Sequence, residues 1–284
     1  MRLLTVLCCL IFSASQAASP WPQPKGKGYF KLYEWWLQFD QHFTSTGELD
    51  PNATLGLYNT SVYAEYGLTD RLTGVINLPI YSRNVINNQV SGTRGNVTLP
   101  GEAIGGLGDT DVSLRYALNA PGSALPISAT LTFGLPLGES AGGEQMNLQT
   151  GDGEFNQMLS LSAGKSLTRD LYATASLGLN NRSNGFSDEF RYGLEAGYGL
   201  AGQRVWLIGR LNGSKSFMNG ETAETISSTS IFSNNAEYLS LGGEVNVYVT
   251  PKLGLSVGAA TALSGRIIAA APSFSVGVFL DTSK

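Results

Sequence analysis

Few residues in this 284-residue chain are spaced for chemistry. His42 is the only histidine, and Ser45 is close to it in sequence. A hydrolase would need a base beside a nucleophile and a third group to orient the base. No flanking motif supplies one, so His42 reads as a surface histidine and the chain as a non-enzyme. Asp109-Thr110-Asp111 and Gly151-Asp152-Gly153-Glu154 carry carboxylates at loop ends. Neither has calcium-loop spacing, so both read as solvated turn acids. Gly105-Gly106-Leu107-Gly108 has the glycines of a phosphate loop, but no helix follows it. No cofactor and no metal are expected. What remains is a set of charges, Glu34, Glu65, Asp111, Arg115, Arg191, Glu195, Arg210 and Glu244, each with an apolar residue on at least one side.

The elements that carry these charges alternate. From Leu171 the chain reads Leu171, Ala173, Ala175, Leu177 and Leu179, with Tyr172, Thr174, Ser176, Gly178 and Asn180 between them. The pattern returns about a dozen times, as a sheet closed with lipid outside and water inside requires. Twelve strands are expected at 29–40, 58–68, 71–81, 109–118, 127–137, 155–167, 171–182, 190–200, 204–214, 238–249, 253–263 and 273–280. Most have the length a tilted membrane strand needs. The fold class is therefore all-β, a transmembrane antiparallel up-and-down barrel.

Connections alternate in size. Thr69-Asp70-Arg71, Thr168-Arg169-Asp170, Ala201-Gly202-Gln203 and Thr250-Pro251-Lys252 are tight turns. Residues 82–108, 217–237, 41–57 and 138–154 are the long connections. Short turns face the periplasm in outer-membrane barrels, and an even strand count puts both termini there. Pro79 and Pro136 mark where pairing stops on the outer side.

An arginine facing lipid near mid-depth costs about 2–4 kcal/mol. The phase holding Arg115 and Arg210 must therefore face the lumen, and the other charges are assigned with it. Strand one is ambiguous, because Tyr33, Trp35, Leu37 and Phe39 compete with Phe30, Leu32 and Trp36. Glu34 is placed inward, which turns Trp35 to lipid. Tyr66, Tyr116, Phe155, Tyr192, Tyr198 and Phe274 fall at strand ends on the outer phase and suit aromatic girdles. Inward glycines and serines suggest open space, while Tyr63, Tyr172, Trp206 and Tyr248 look too scattered for a site.

Residues 1–17 read as a signal peptide: a charged start, an apolar run at 3–12, and Ser15-Gln16-Ala17 for cleavage. Both cysteines, Cys8 and Cys9, lie in it, so the mature chain, 18–284, holds one thiol-free barrel domain. It keeps 17 basic against 22 acidic residues, a net charge of −5, unlike a nucleic-acid binder. The 14% of charged residues is low for a soluble protein, and no later apolar run reaches the length of a membrane helix.

AEYGLTDRLTGVINLPIY at 64–81 and GLGDTDVSLRYAL at 106–118 resemble the outer-membrane family called the MetA-pathway of phenol degradation family. TGDGEFNQ at 150–157 and NNRSNGFSDEFRY at 180–192 resemble other pieces of it. The resemblance implies a barrel associated with uptake of aromatic or other hydrophobic compounds. It brings no set of binding residues, and Asp109, Arg115 and Tyr116, which match its motif, read as architectural. The leading expectation is a narrow outer-membrane channel for small solutes. Its partners would be the solute, outer-membrane lipids and the barrel-assembly machinery, with no nucleic acid. The alternative is a structural or interaction barrel with a plugged lumen and functional outer loops.

Overall fold

The alternating segments fold into sixteen strands in a computed structural model that describes residues 19–144, 148–221 and 232–284, with Asn52 and Ala53 described by backbone alone. The expected signal peptide lies outside the described residues. The strands are β1 (Gly28–Phe43), β2 (Leu49–Gly67), β3 (Leu72–Ile86), β4 (Gln89–Val90), β5 (Val97–Leu99), β6 (Glu102–Gly106), β7 (Thr110–Ala117) and β8 (Ile127–Leu135). They continue as β9 (Asn156–Ser166), β10 (Leu171–Arg182), β11 (Glu189–Leu200), β12 (Val205–Ser216), β13 (Glu237–Tyr248), β14 (Leu253–Arg266), β15 (Ile268–Ala269) and β16 (Ser273–Asp281).

Twelve of them form a closed antiparallel barrel. Each pairs with its neighbour in the chain, β3 pairs with β7, and β1 pairs with both β2 and β16, which leaves the ring without an edge. Of the remaining four, β4 and β5 make a separate hairpin, β6 extends β3's pairing and β15 pairs with the end of β1.

Side-chain phase follows the sequence in eleven of the twelve strands. Leu177 and Leu194 are 58% and 53% exposed, whereas Ser162 and Thr174 are 2% and 7% exposed. A one-residue slip would exchange these sets, so the apolar band fixes the register. Tyr66, Tyr116, Phe155, Tyr198 and Phe274 are exposed on the outside, as expected of girdle residues, and Tyr192 is half-buried there.

Three short turns are built alike. Leu68, Leu167 and Val249 each donate their N–H to the carbonyl of the leucine four residues on, and Thr69, Thr168 and Thr250 accept a backbone N–H two residues on. The fourth turn uses left-handed backbone at Ala201, Gly202 and Gln203. The start of β1 lies at this short-turn end, where Gly28 N–H donates to Thr282 Oγ1 just past β16.

Two boundaries depart from the sequence reading. The 41–57 connection shrinks to 44–48, because β1 and β2 run on as a paired ribbon beyond the barrel wall. Trp35, Leu37, Phe39, Leu55, Leu57 and Ala269 form an apolar cluster on its inner face. Pro79 does not end β3. It sits at a bulge opposite Ser61, where pairing with β7 stops at Asn77 and pairing with β6 begins at Ser82. Pro136 does follow the last residue of β8.

Candidate functional site

The short-turn half of the lumen is packed with paired charges and rings. Residues 19–27 cross it before β1 begins. Ser128 Oγ donates to the Pro20 carbonyl at 2.7 Å, Trp21 packs edge-on against Tyr172 with centroids 5.5 Å apart, and Gln23 Nε2 donates to Glu65 at 2.9 Å. Arg115 reaches both Glu65 oxygens, at 3.0 and 3.1 Å, in the bidentate geometry that suits guanidinium and carboxylate. The Tyr63 hydroxyl donates to the same carboxylate.

A second chain of charges runs along the opposite wall. Lys31 Nζ lies 3.2 Å from Glu244, Arg210 bridges Glu244 and Glu195, and the Tyr172 hydroxyl donates to Glu195 at 2.9 Å. Every member is largely buried, so pairing offsets a desolvation cost of several kcal/mol per ion. The inward glycines here are not open space. A Cβ at Gly197 would meet the Tyr172 ring, one at Gly254 the Phe279 ring, and one at Gly164 the Pro20 ring. These glycines let large side chains from adjacent strands and from residues 19–27 lie flat on the wall. The inward aromatics are likewise not scattered: Trp21, Tyr172 and Trp206 are in contact, as are Tyr63, Tyr29, Phe279 and Tyr248.

At the long-loop end, residues 136–144 and 148–155 fold inward. Asp109 clasps this loop, its Oδ1 accepting the Gly138 N–H at 2.9 Å and its Oδ2 the Asp152 N–H at 2.7 Å. Asn84 Nδ2 donates to the Gln149 carbonyl at 3.0 Å. Arg182 joins Asp152, Glu154 and Glu189 at 2.8, 2.7 and 3.1 Å, and its guanidinium stacks on Phe186. The carboxylates of 151–154 are therefore structural clasps and not solvated turn acids. Burial pushes the Asp152 carboxyl up to about 7; Arg182 opposes the rise and the neighbouring Asp109 adds to it.

Between the packed half and this cluster lies a cavity of about 350 Å³. One wall carries Tyr33, Trp35 and Leu37 from β1; another carries Asp111 and Ser113 from β7; Arg191 and Tyr238 face in from β11 and β13. The Tyr33 hydroxyl donates to Asn77 Oδ1 at 2.9 Å, and Asn77 is the register partner of Asp111.

Of the eight charges assigned to the lumen, seven point inward. Glu65 and Arg115 pair; Glu195, Arg210 and Glu244 form the second chain; Arg191 pairs with Glu189 at 2.7 Å; and Asp111 opens onto the cavity. Glu34 is the correction. It lies on the outer face between Val276 and Thr60, whose hydroxyl donates to it at 2.6 Å, and Trp35 is buried inside. The phase of β1 is set by Lys31, because a lysine costs more against lipid than a glutamate. Inward Lys31 meets Glu244, and Trp35, Leu37 and Phe39 then complete the inner apolar cluster. Sequence reading missed Lys31, Asp152, Glu154, Arg182 and Glu189. Lys31 was visible as a strand cation out of phase with Glu34, Arg182 as the last residue of the strand at 171–182 on the phase of Tyr172 to Asn180, and Glu189 as a residue in phase with Arg191; Asp152 and Glu154 lie in a loop, where alternation carries no signal.

His42 lies within β1, paired with Ala269 and Asp50, and not past the strand's end. Ser45 lies in the adjoining turn, and no hydrogen bond joins the two among the described residues.

No family model and no curated protein matches the chain. Solved structures of the same architecture do. An outer membrane channel from Pseudomonas putida F1 superimposes with a TM-score of 0.63 at 16% identity, over 95% of this chain and 99% of that one. The β domain of the Bordetella autotransporter BrkA gives 0.51 at 16% identity, over 90% and 99%. The NanC porin gives 0.50 at 9% identity, over 89% and 99%. At these identities the likeness is one of fold.

Proposed function

We propose that this chain is an outer-membrane barrel that works as a narrow channel for small solutes, aromatic or hydrophobic ones among them. The observation that carries the reading is a cavity of about 350 Å³ lined by both apolar and charged side chains, inside a barrel whose outside is an apolar band edged by aromatic rings. The likeness in fold to a Pseudomonas putida channel supports it. In this reading the chain is not an enzyme. Residues 1–17 are removed as a signal peptide, 18–284 form one domain inserted by the barrel-assembly machinery, and both termini face the periplasm. Membership of the MetA-pathway of phenol degradation family belongs to the same reading, on the segments at 64–81 and 106–118. Glu65, Asp111, Arg115, Arg191, Glu195, Arg210 and Glu244 line the route.

The test is a planar bilayer recording on refolded protein. Discrete conductance steps are expected, and a barrel that stays sealed over the full voltage range overturns the channel. A second reading, an interaction barrel with a plugged lumen, draws on the buried ion pairs and on residues 19–27 within the short-turn half. Deleting the β4–β5 hairpin separates the two. A loop over the mouth predicts a larger current, and an adhesive surface predicts an unchanged current with loss of a binding partner.

A further inference from the structure

We propose that the cavity is a binding site for small organic cations, with an ammonium group held by Asp111 and an apolar or aromatic body laid against Tyr33, Trp35 and Leu37. The inference rests on the channel reading only for the route by which a solute arrives.

The charge balance around the cavity points to a cation. Among the described residues three guanidinium groups line it, and all three are committed. Arg115 is held by Glu65, Arg182 by Glu154 and Asp152, and Arg191 by Glu189, which also reaches Arg182. Glu65, Glu154 and Glu189 thus balance the three arginines and leave two acids over, Asp111 and Asp152. Asp152 keeps contact with Arg182 at 2.8 Å and lies beside Asp109. The Asp111 carboxylate makes no hydrogen bond and no ion pair with any described residue, and it is exposed to the cavity. The charges acting on it are one cation, Arg191, and two acids, Asp152 and Glu154. An arriving anion would meet an arginine already spent on Glu189 and a carboxylate that repels it. An ammonium would supply the counter-charge that Asp111 lacks, in a setting where charge-assisted hydrogen bonds are the strong ones.

The wall beyond two intervening strands, on β1, gives the rest of the ligand its character. Tyr33, Trp35 and Leu37 succeed one another at alternate positions of β1, so they present one continuous inward surface. Tyr33 is tied to the acid's side of the cavity through Asn77. Ring faces attract cations as well as apolar groups, so one wall serves both ends of an aromatic amine. The cavity's volume falls in the range that holds a drug-sized molecule.

The experiment uses the purified full chain in detergent micelles and three ligands of matched shape: 2-phenylethylamine, 2-phenylethanol and phenylacetate. Calorimetric titration, with empty micelles as the blank, should show the amine binding at least tenfold tighter than the alcohol, and phenylacetate not binding. Asp111→Asn should lower amine affinity at least tenfold and leave the alcohol unchanged. The heat-dependent gel shift checks that the variant is a folded barrel. Equal binding of amine and phenylacetate, no binding of the amine, or an amine affinity untouched in a folded Asp111→Asn barrel each overturns the site. The ligand comparison on the unmodified chain decides the matter even where the variant fails to fold. Binding in micelles is independent of conduction, so a sealed bilayer recording would defeat the channel while leaving this result standing.

Discussion

Lys31 and Glu34 lie three residues apart on β1 and face opposite sides of the barrel wall, Lys31 toward Glu244 in the lumen and Glu34 toward Thr60 outside. One strand cannot turn both charges inward, because their separation is odd. The wall gives the lumen to the cation, which would cost more against hydrocarbon. Glu34 is left one step inside the outer aromatic pair Trp36 and Phe274, whose rings stand 5.8 Å apart.

Glu34 is therefore a residue whose removal should help. Glu34→Leu exchanges a carboxylate on the apolar band for a side chain like those around it. A gain of about 1 kcal/mol is expected, below the 2–4 kcal/mol that a basic residue would cost at mid-depth. Urea unfolding in lipid vesicles measures it, and a loss of stability would mean that Glu34 faces the lumen after all.

Arg210 should behave in the opposite way. It is the shared partner of Glu195 and Glu244; Glu244 is buried, and the other two are largely so. Arg210→Ala leaves two carboxylates with too little counter-charge and should cost about 3–5 kcal/mol. Adding Glu195→Gln should recover most of the loss, because Glu244 keeps Lys31 at 3.2 Å. The same unfolding assay reads both variants. A double variant no better than Arg210→Ala alone would place the effect in packing and not in charge.

The barrel was legible in the sequence because burial in two different media leaves a period of two that turns cannot disguise. Strand β10 ends where the alternation of Leu171 to Asn180 says it should, within two residues. The lumen was less legible. Alternation says which way Arg115 points, and it does not say that Glu65, fifty residues away, waits at 3.0 Å. Closure decides that, by bringing β2, β3 and β7 together. The Arg182 cluster was out of reach for a different reason. Asp152, Glu154 and Arg182 meet because the loop segment at 148–155 folds inward, and a loop has no period to read. In β1 two charges made opposite demands, and only the relative cost of lysine and glutamate against lipid separates them.

Residues 19–27 should limit whatever current the barrel carries. Their hold on the lumen side includes the Ser128 hydroxyl on the Pro20 carbonyl, the Trp21 ring on Tyr172, and Gln23 on Glu65 and Thr73, while Lys25, Gly26 and Lys27 are tied by backbone to Asp70 and Gly67. Replacing both Trp21 and Gln23 with alanine removes two of these contacts and leaves the barrel's own ion pairs intact. Single-channel conductance should rise at least twofold. An unchanged conductance would place the constriction at the long-loop end.

The Asp109–Asp152 clasp should loosen as the pH rises. Burial holds the Asp152 carboxyl at about 7, above its ordinary 3.8, so the folded loop prefers the neutral acid. A group whose folded value is raised contributes stability that is complete below the unfolded value and is lost as pH climbs through the folded one. The window thus runs from about pH 4 to about pH 7. Neutral Asp152 can donate a hydrogen bond to Asp109, whereas the ionised form sets two carboxylates side by side with only Arg182 against them. Amide exchange of residues 138–142 and 148–154, corrected for intrinsic rates, should show stronger protection at pH 5 than at pH 8. Asp152→Asn, neutral throughout, should hold the low-pH level at both. Protection that instead grows with pH would mean that the ion pair with Arg182 outweighs burial and that the clasp closes on ionisation.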